Sequence, residues 1–307
     1  MKPIDYIYRF NPGSHSEGPL PADAEQARTR LEDGNRTFAR WMGSCCSNAD
    51  PDLSDESAYV VSCNGLEVGM PRKPGVAPKQ SPFAIVVGCS DARVPTEMLF
   101  GQGFNDLFVI RVAGNVLGAE CQGSIDYALA TMSESVRILV VLGHSGCGAV
   151  TGAVDAYMKP LSYWSRASSN PLRSILQRVS ASVRESANAI EEVLGANATS
   201  LPGYREALIN TAVYVNAAQA AYDLRCEVER TGYRDVAVLY GVYDLVTSRV
   251  GLPADHGNLT SGAESTRLVH APTDPQEFVT LAESIARHSL AAHTNGQLKH
   301  HEGNGVL

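Results

Sequence analysis

Phe83-Ala-Ile-Val-Val-Gly-Cys-Ser-Asp-Ala-Arg93 decides the fold of this 307-residue chain, because an unbroken apolar run ends there in a short polar turn. Strands buried on both faces have that composition, whereas a strand with one wet face alternates. Val136-Arg-Ile-Leu-Val-Val-Leu142 repeats the pattern and runs into Gly143-His-Ser-Gly-Cys147. Residues at the carboxyl ends of neighbouring parallel strands meet in the crevice of an open α/β sheet. Cys89, His144 and Cys147 are therefore expected to converge.

Two thiolates and one imidazole are ligand chemistry for Zn²⁺. Three protein ligands leave the fourth tetrahedral position to water, or to a carboxylate that can let go, which is a catalytic rather than a structural arrangement. Each residue alone reads equally well as an ordinary buried cysteine or histidine. All three falling in Gly/Ser-rich turns after strands tells against that. A Cys nucleophile with His144 as its base is the other competitor, and it leaves the second cysteine and the Asp91-Arg93 pair without roles.

Working outward, Ala24 to Met42 reads as an amphipathic helix with Ala27, Leu31, Phe38 and Trp41 on one stripe. Gly43 to Lys79, rich in Pro, Asp, Ser and Gly, reads as a loop or linker with one strand-like stretch, Tyr59-Val-Val61. Strands are expected at Phe83–Gly88, Leu107–Val112, Val136–Gly143 and Val236–Tyr243. Helices are expected at Ser124–Met132, Pro171–Leu194 and Arg205–Arg230. The alternation predicts an α/β fold with a mainly parallel central sheet, right-handed crossovers and flanking helices. An N-terminal helical arm and linker (1–79) would precede the α/β core (80–250), and a C-terminal extension (251–307) would follow. Asp274 to His293 carries a helical stripe through Phe278, Leu281, Ile285 and Leu290, expected to pack on the parent fold or a dimer mate; docking on a protein partner is the alternative. Gly101-Gln-Gly103-Phe-Asn-Asp106 lacks the third glycine of a dinucleotide loop and reads as a turn. Gly143-His-Ser145 fails as a nucleophile elbow because Cys147 stands where that motif needs glycine.

A net charge of −8 argues against a nucleic-acid partner. No apolar run approaches membrane-spanning length, and Met1-Lys-Pro-Ile-Asp-Tyr6 opens without a hydrophobic signal core, so a cytoplasmic location is expected. Seven cysteines, two of them committed to metal, fit a reducing compartment better than a disulfide framework. Cys45, Cys46, Cys63, Cys121 and Cys226 read as structural or exposed thiols.

From Gln80 to Val150 the chain resembles the β-class carbonic anhydrases. The resemblance runs through Gln80-Ser-Pro-Phe83, Gly88-Cys-Ser-Asp-Ala-Arg-Val-Pro95, Asp106-Leu-Phe-Val-Ile-Arg-Val-Ala-Gly-Asn115, Gly123-Ser-Ile-Asp-Tyr-Ala128 and Gly143-His-Ser-Gly-Cys-Gly-Ala149. It resumes at Gly241-Val-Tyr-Asp-Leu-Val-Thr-Ser-Arg-Val250, and Leu31-Glu-Asp-Gly-Asn-Arg-Thr-Phe38 resembles the family's amino-terminal helix, which there packs across a partner subunit; packing within one chain would give the same pattern. The resemblance implies reversible hydration of carbon dioxide to bicarbonate and a proton by zinc-bound hydroxide, with Cys89, His144 and Cys147 as ligands. Asp91 would accept a hydrogen bond from the zinc water or take its place as fourth ligand, and Arg93 would hold Asp91 off the metal. Gln80 would donate to substrate oxygen, with the Gly148 N–H nearby. Phe108 and Tyr127 would line the substrate pocket, although both read equally as core aromatics. A homodimer or higher even-numbered oligomer is implied. Hydrolysis of carbonyl sulfide or carbon disulfide on the same scaffold is the alternative, as is a zinc-site binding protein without turnover; intact Asp91, Arg93 and Gln80 argue against the latter. Two departures stand out. Val86 occupies the position of the tryptophan that marks members with a regulatory bicarbonate site, and the chain carries extra sequence at Gly43–Lys79, around Met158–Gly203 and after Val250.

Overall fold

The computed structural model describes residues 5–11, 20–46, 58–64, 75, 77–161, 169–233, 235–252 and 267–294. Its centre is a six-stranded sheet. The parallel strands β3 (Ala84–Gly88), β4 (Leu107–Arg111), β5 (Ile138–His144) and β6 (Ala237–Tyr243) lie in the order β4-β3-β5-β6. Two short strands, β7 (Val250–Gly251) and β8 (Val269–His270), both pair antiparallel with β6. All five residues of β3 and all seven of β5 are buried, which is why their sequences run apolar without alternation.

Opposite sides of the sheet are covered by different parts of the chain. Ile85, Val87, Leu139, Val141, Val238 and Val242 face a core shared with α3 (Ala119–Met132), α4 (Gly148–Met158), α5 (Asn170–Leu194), α6 (Tyr204–Thr231) and α7 (Pro275–Thr294). Val86, Ile138, Val140, Leu142 and Leu239 face the second core, closed by α1 (Ala24–Cys46) and by β1 (Asp5–Asn11) and β2 (Ala58–Asn64). The stripe Ala27, Leu31, Phe38 and Trp41 thus packs on the chain's own sheet. Each fully buried aliphatic side chain there contributes about 1.5–3 kcal/mol, and polar anchors set the orientation. Asn35 Nδ2 donates to Leu99 O and Ser248 O, its Oδ1 accepts from Val250 N, and Glu32 Oε1 accepts from Leu268 N. Mid-helix Gly34 allows the contact: a Cβ there would lie 1.8 Å from the Phe100 carbonyl oxygen.

Several boundaries differ from the sequence reading. α1 runs four residues past Met42, and α3 begins at Ala119 rather than Ser124. The strand-like stretch Tyr59-Val-Val61 is a strand, longer than expected at seven residues (Ala58–Asn64), and its parallel partner β1 was not anticipated. Alternation explains the pair, since Tyr6, Tyr8, Phe10, Tyr59, Val61 and Cys63 turn inward and stack Tyr6 on Tyr59 at 5.0 Å. Leu281 and Ile285 of α7 are buried against α5 and α6, so the stripe through them packs on the parent fold, while the Leu290 side chain lies outside the described residues. Among the described residues, no helix is long and apolar enough to cross a membrane.

Candidate metal centre

From β3 the chain crosses outward to β4, and from β5 it crosses the other way to β6, so the direction of winding reverses between β3 and β5. Such a reversal opens a crevice at the carboxyl ends of the two strands. Cys89 follows β3 immediately, His144 is the last residue of β5, and Cys147 caps the amino end of α4. Their donor atoms all lie within 4.8 Å of one another, and the residues are 5%, 0% and 1% exposed.

The ring of His144 is set by its neighbours. Nδ1 lies 3.0 Å from Ser145 O, which can only accept, so Nδ1 is the donor there and the neutral ring has its lone pair on Nε2. Nε2 is buried with no hydrogen-bond partner among the described residues, 3.8 Å from Asp91 Oδ2. An orphaned ring nitrogen between two thiols is costly unless an electrophile occupies the gap. The donor set and this vacant lone pair fit a metal ion of the zinc class. The Ser145 turn is itself pinned, its N–H donating to Tyr243 O and its Oγ accepting from Leu245 N.

Each thiol has its own source of polarisation. The hydrogen bond from Cys147 lowers Cys89, helped by His144 and by the Gly114 N–H, while the same bond and burial push Cys147 up. Ala149 and Val150, in the first turn of α4, donate N–H groups toward Cys147 and work against that rise. Asp91 receives Arg93 Nε on Oδ1 at 2.9 Å and Arg93 Nη2 on Oδ2 at 2.7 Å, and the Arg93 backbone N–H on Oδ1 at 2.9 Å. The guanidinium holds its carboxyl at about 2.

Three contributors were not singled out from sequence. Arg111, at the end of β4, donates Nε to Cys89 O at 3.0 Å and Nη2 to Asp91 O, tying down the ligand turn. Gly114 donates its N–H to Cys89 Sγ at 3.3 Å. Asn216 of α6 donates Nδ2 to Gly114 O at 3.0 Å. Arg111 and Gly114 lie inside the Asp106–Asn115 motif, but nothing local in that motif indicates which atom each one touches.

The remaining expected site residues are placed elsewhere in the chain. Gln80 is exposed at the amino end of β3, and at ~3.3 Å per residue the strand alone puts about 15 Å between it and Cys89. Phe108 pairs with Ile85 and is half-buried against the helical core, three register positions before Arg111. Tyr127 is 56% exposed on α3, so its reading as a core aromatic is corrected. Gly148 opens α4, and a Cβ built on it meets nothing within 4 Å. A cavity of about 310 Å³ lined by Arg225, Tyr233, Val236 and His270 lies at the amino end of β6, opposite the cluster.

The chain is 38% identical over 117 residues to carbonic anhydrase 2 of Mycobacterium tuberculosis, covering 34% of this chain and 56% of that protein. It is 39% identical over 133 residues to a carbonic anhydrase of Mycolicibacterium smegmatis, covering 43% and 61%. It thus spans less than two thirds of the length of these relatives. The solved β-carbonic anhydrase CcaA superposes with a TM-score of 0.47 at 19% identity, over 65% of this chain and 84% of that one. The family model described as carbonic anhydrase matches residues 84–250, from the first residue of β3 to the first of β7, and the chain belongs to the β-class carbonic anhydrase family.

Proposed function

We propose that this chain is a zinc-dependent carbonic anhydrase, converting carbon dioxide and water to bicarbonate and a proton. The observation that carries the reading is the buried His144 Nε2, without a hydrogen-bond partner among the described residues, facing two thiols at the sheet's crevice. Cys89, His144 and Cys147 would hold the ion. When bound, zinc supplies a position at which water is acidified toward neutrality.

The chain's own groups do the rest. Asp91, kept ionised by Arg93, offers a carboxylate that cannot donate and so accepts a proton-bearing edge of the water, fixing the direction of its lone pair. Arg93 directs its fork at Asp91 and would thereby keep the carboxylate from becoming a further ligand to a bound ion. Both thiolates receive backbone N–H groups, which offset two negative charges in a dry site.

Gln80, Phe108 and Tyr127 would complete the site from a second copy. Gln80 is separated from its own Cys89 by the length of β3, so its amide can serve a substrate oxygen only across an interface, in accord with the expected even-numbered homo-oligomer. The exposure of Gln80 and Tyr127 leaves both side chains available to such a partner.

Stopped-flow hydration of carbon dioxide by the zinc-loaded full chain, run beside a carbonyl sulfide assay on the same sample, tests the proposal. Rapid bicarbonate formation with little sulfide release is expected. Sulfide release without carbon dioxide hydration would overturn it in favour of the sulfur substrates. Zinc retention without either turnover would make the chain a binding protein.

A further inference from the structure

We propose that Asn216 is a positioning residue for the metal centre: it fixes the Gly114 segment so that the Gly114 N–H is held on the Cys89 thiolate. The inference rests on the metal reading above and extends it to a residue that lies on a different element, far along the chain.

A buried amide on a helix needs a reason. Asn216 is 6% exposed on α6, between Val215, which packs with Ala189 and Ala282 of the neighbouring helices, and Ala217, which lies in the core shared with the sheet. Burying a primary amide is unfavourable unless it is hydrogen-bonded, and Nδ2 meets that need on Gly114 O at 3.0 Å. Gly114 in turn points its N–H at Cys89 Sγ at 3.3 Å. The two bonds leave from adjacent peptide planes joined at the Gly114 Cα, so holding the carbonyl restrains the dihedrals that aim the N–H. Position 114 tolerates no larger residue: φ is +67°, and a Cβ would lie 2.9 Å from the Ala149 Cβ.

The two thiolates are supported differently, which is why Asn216 matters. Cys147 receives N–H groups from the first turn of α4, whose geometry the helix itself maintains. Cys89 receives the Asp91 N–H of its own turn and the Gly114 N–H, and Gly114 sits in the connection between β4 and α3 with no helix of regular geometry to hold it. The connection is anchored to the sheet at Val112, whose N–H donates to Gly88 O, and the Asn216 amide supplies an anchor from the helical side. An N–H donated to a metal-bound thiolate withdraws charge from sulfur and so tunes both affinity and electronic character. Asn216 touches neither metal nor substrate; it acts through Gly114.

The test loads the full-length protein with ¹¹³Cd in place of zinc and records scalar coupling from amide protons to the metal across N–H···S bonds. The Gly114 amide of the wild type is expected to couple to cadmium. Asn216→Leu, close in volume but without a donor, and Asn216→Ala, which leaves room for water, should weaken or abolish that coupling. Both should lower zinc affinity by about tenfold or more in chelator competition, and should move the sulfur-to-metal charge-transfer band of the cobalt-loaded protein to lower energy. Cadmium bound by the wild type without coupling to Gly114 overturns the proposal with no variant needed. A variant that loses thermal stability while affinity and band stay unmoved makes Asn216 merely structural, and also overturns it. Failure of the wild type to bind cadmium at all would instead sink the metal reading.

Discussion

Replacing Arg93 by alanine removes both side-chain hydrogen bonds from Asp91 and leaves only the backbone N–H on Oδ1. The carboxyl, held at about 2 rather than the ordinary 3.8, owes most of that fall to the guanidinium. At ~1.4 kcal/mol per tenfold the fall corresponds to about 2 kcal/mol. Because the Arg93 side chain is 60% exposed and screened by water, about 1 kcal/mol is the better figure, a bias of roughly fivefold. Once released, Asp91 Oδ2 starts only 3.8 Å from His144 Nε2, the atom that would hold the ion, and a side-chain rotation would make it a further ligand. Zinc-loaded Arg93→Ala is therefore expected to keep its metal and to hydrate carbon dioxide at least about fivefold more slowly, with part of the rate restored by added guanidinium ion. The double variant Asp91→Ala with Arg93→Ala should be little worse than Arg93→Ala, because the pair acts as a unit. Metal content by mass spectrometry and stopped-flow rates on one sample supply both numbers. Wild-type turnover in fully zinc-loaded Arg93→Ala would refute the reasoning.

Other consequences are as direct. Cys147→Ser should lose most of its zinc, and wild-type zinc retention against a fixed chelator should weaken as pH falls and protons compete for the thiolates; full occupancy in Cys147→Ser contradicts the ligand set. Burial raises Glu32 above its ordinary 4.5 and outweighs the Leu268 N–H and Arg28. The neutral form is therefore favoured in the fold, and the stability it contributes is present below pH 4.5 and lost as pH rises through the raised value. Glu32→Gln should accordingly gain on wild type in urea unfolding between pH 4 and 7, and the opposite trend would show that the Arg28 pair dominates. Gly34→Ala drives a methyl into the Phe100 carbonyl and should cost about 3 kcal/mol or more, read as a fall of several degrees in Tm.

The sequence carried the site's ligands better than its surroundings, for physical reasons. Cys89 follows β3 directly, His144 ends β5 and Cys147 comes three residues later, so strand ends and local spacing were enough to bring them together. Asp91 and Arg93 were legible for the same reason, being neighbours on one turn. The anchors were not. Asn216 meets Gly114 from 102 residues away, and one buried amide on an apolar helix has no periodic signature. Strand β1 was hidden because its inward residues are tyrosines and a phenylalanine set among Asp5, Ile7 and Arg9, a pattern too mixed to stand out until its partner β2 is known. Gln80 illustrates a further limit. Its type suits the chemistry, but only the direction of β3 reveals that it points to the opposite end of its own sheet.

Zinc K-edge X-ray absorption of the purified, zinc-loaded chain addresses the central claim most directly. Two sulfur scatterers at about 2.3 Å and one imidazole nitrogen at about 2.0–2.1 Å, with one light scatterer completing four ligands, are expected. A shell of nitrogen and oxygen alone, or one of four sulfurs, would contradict the assignment of Cys89, His144 and Cys147.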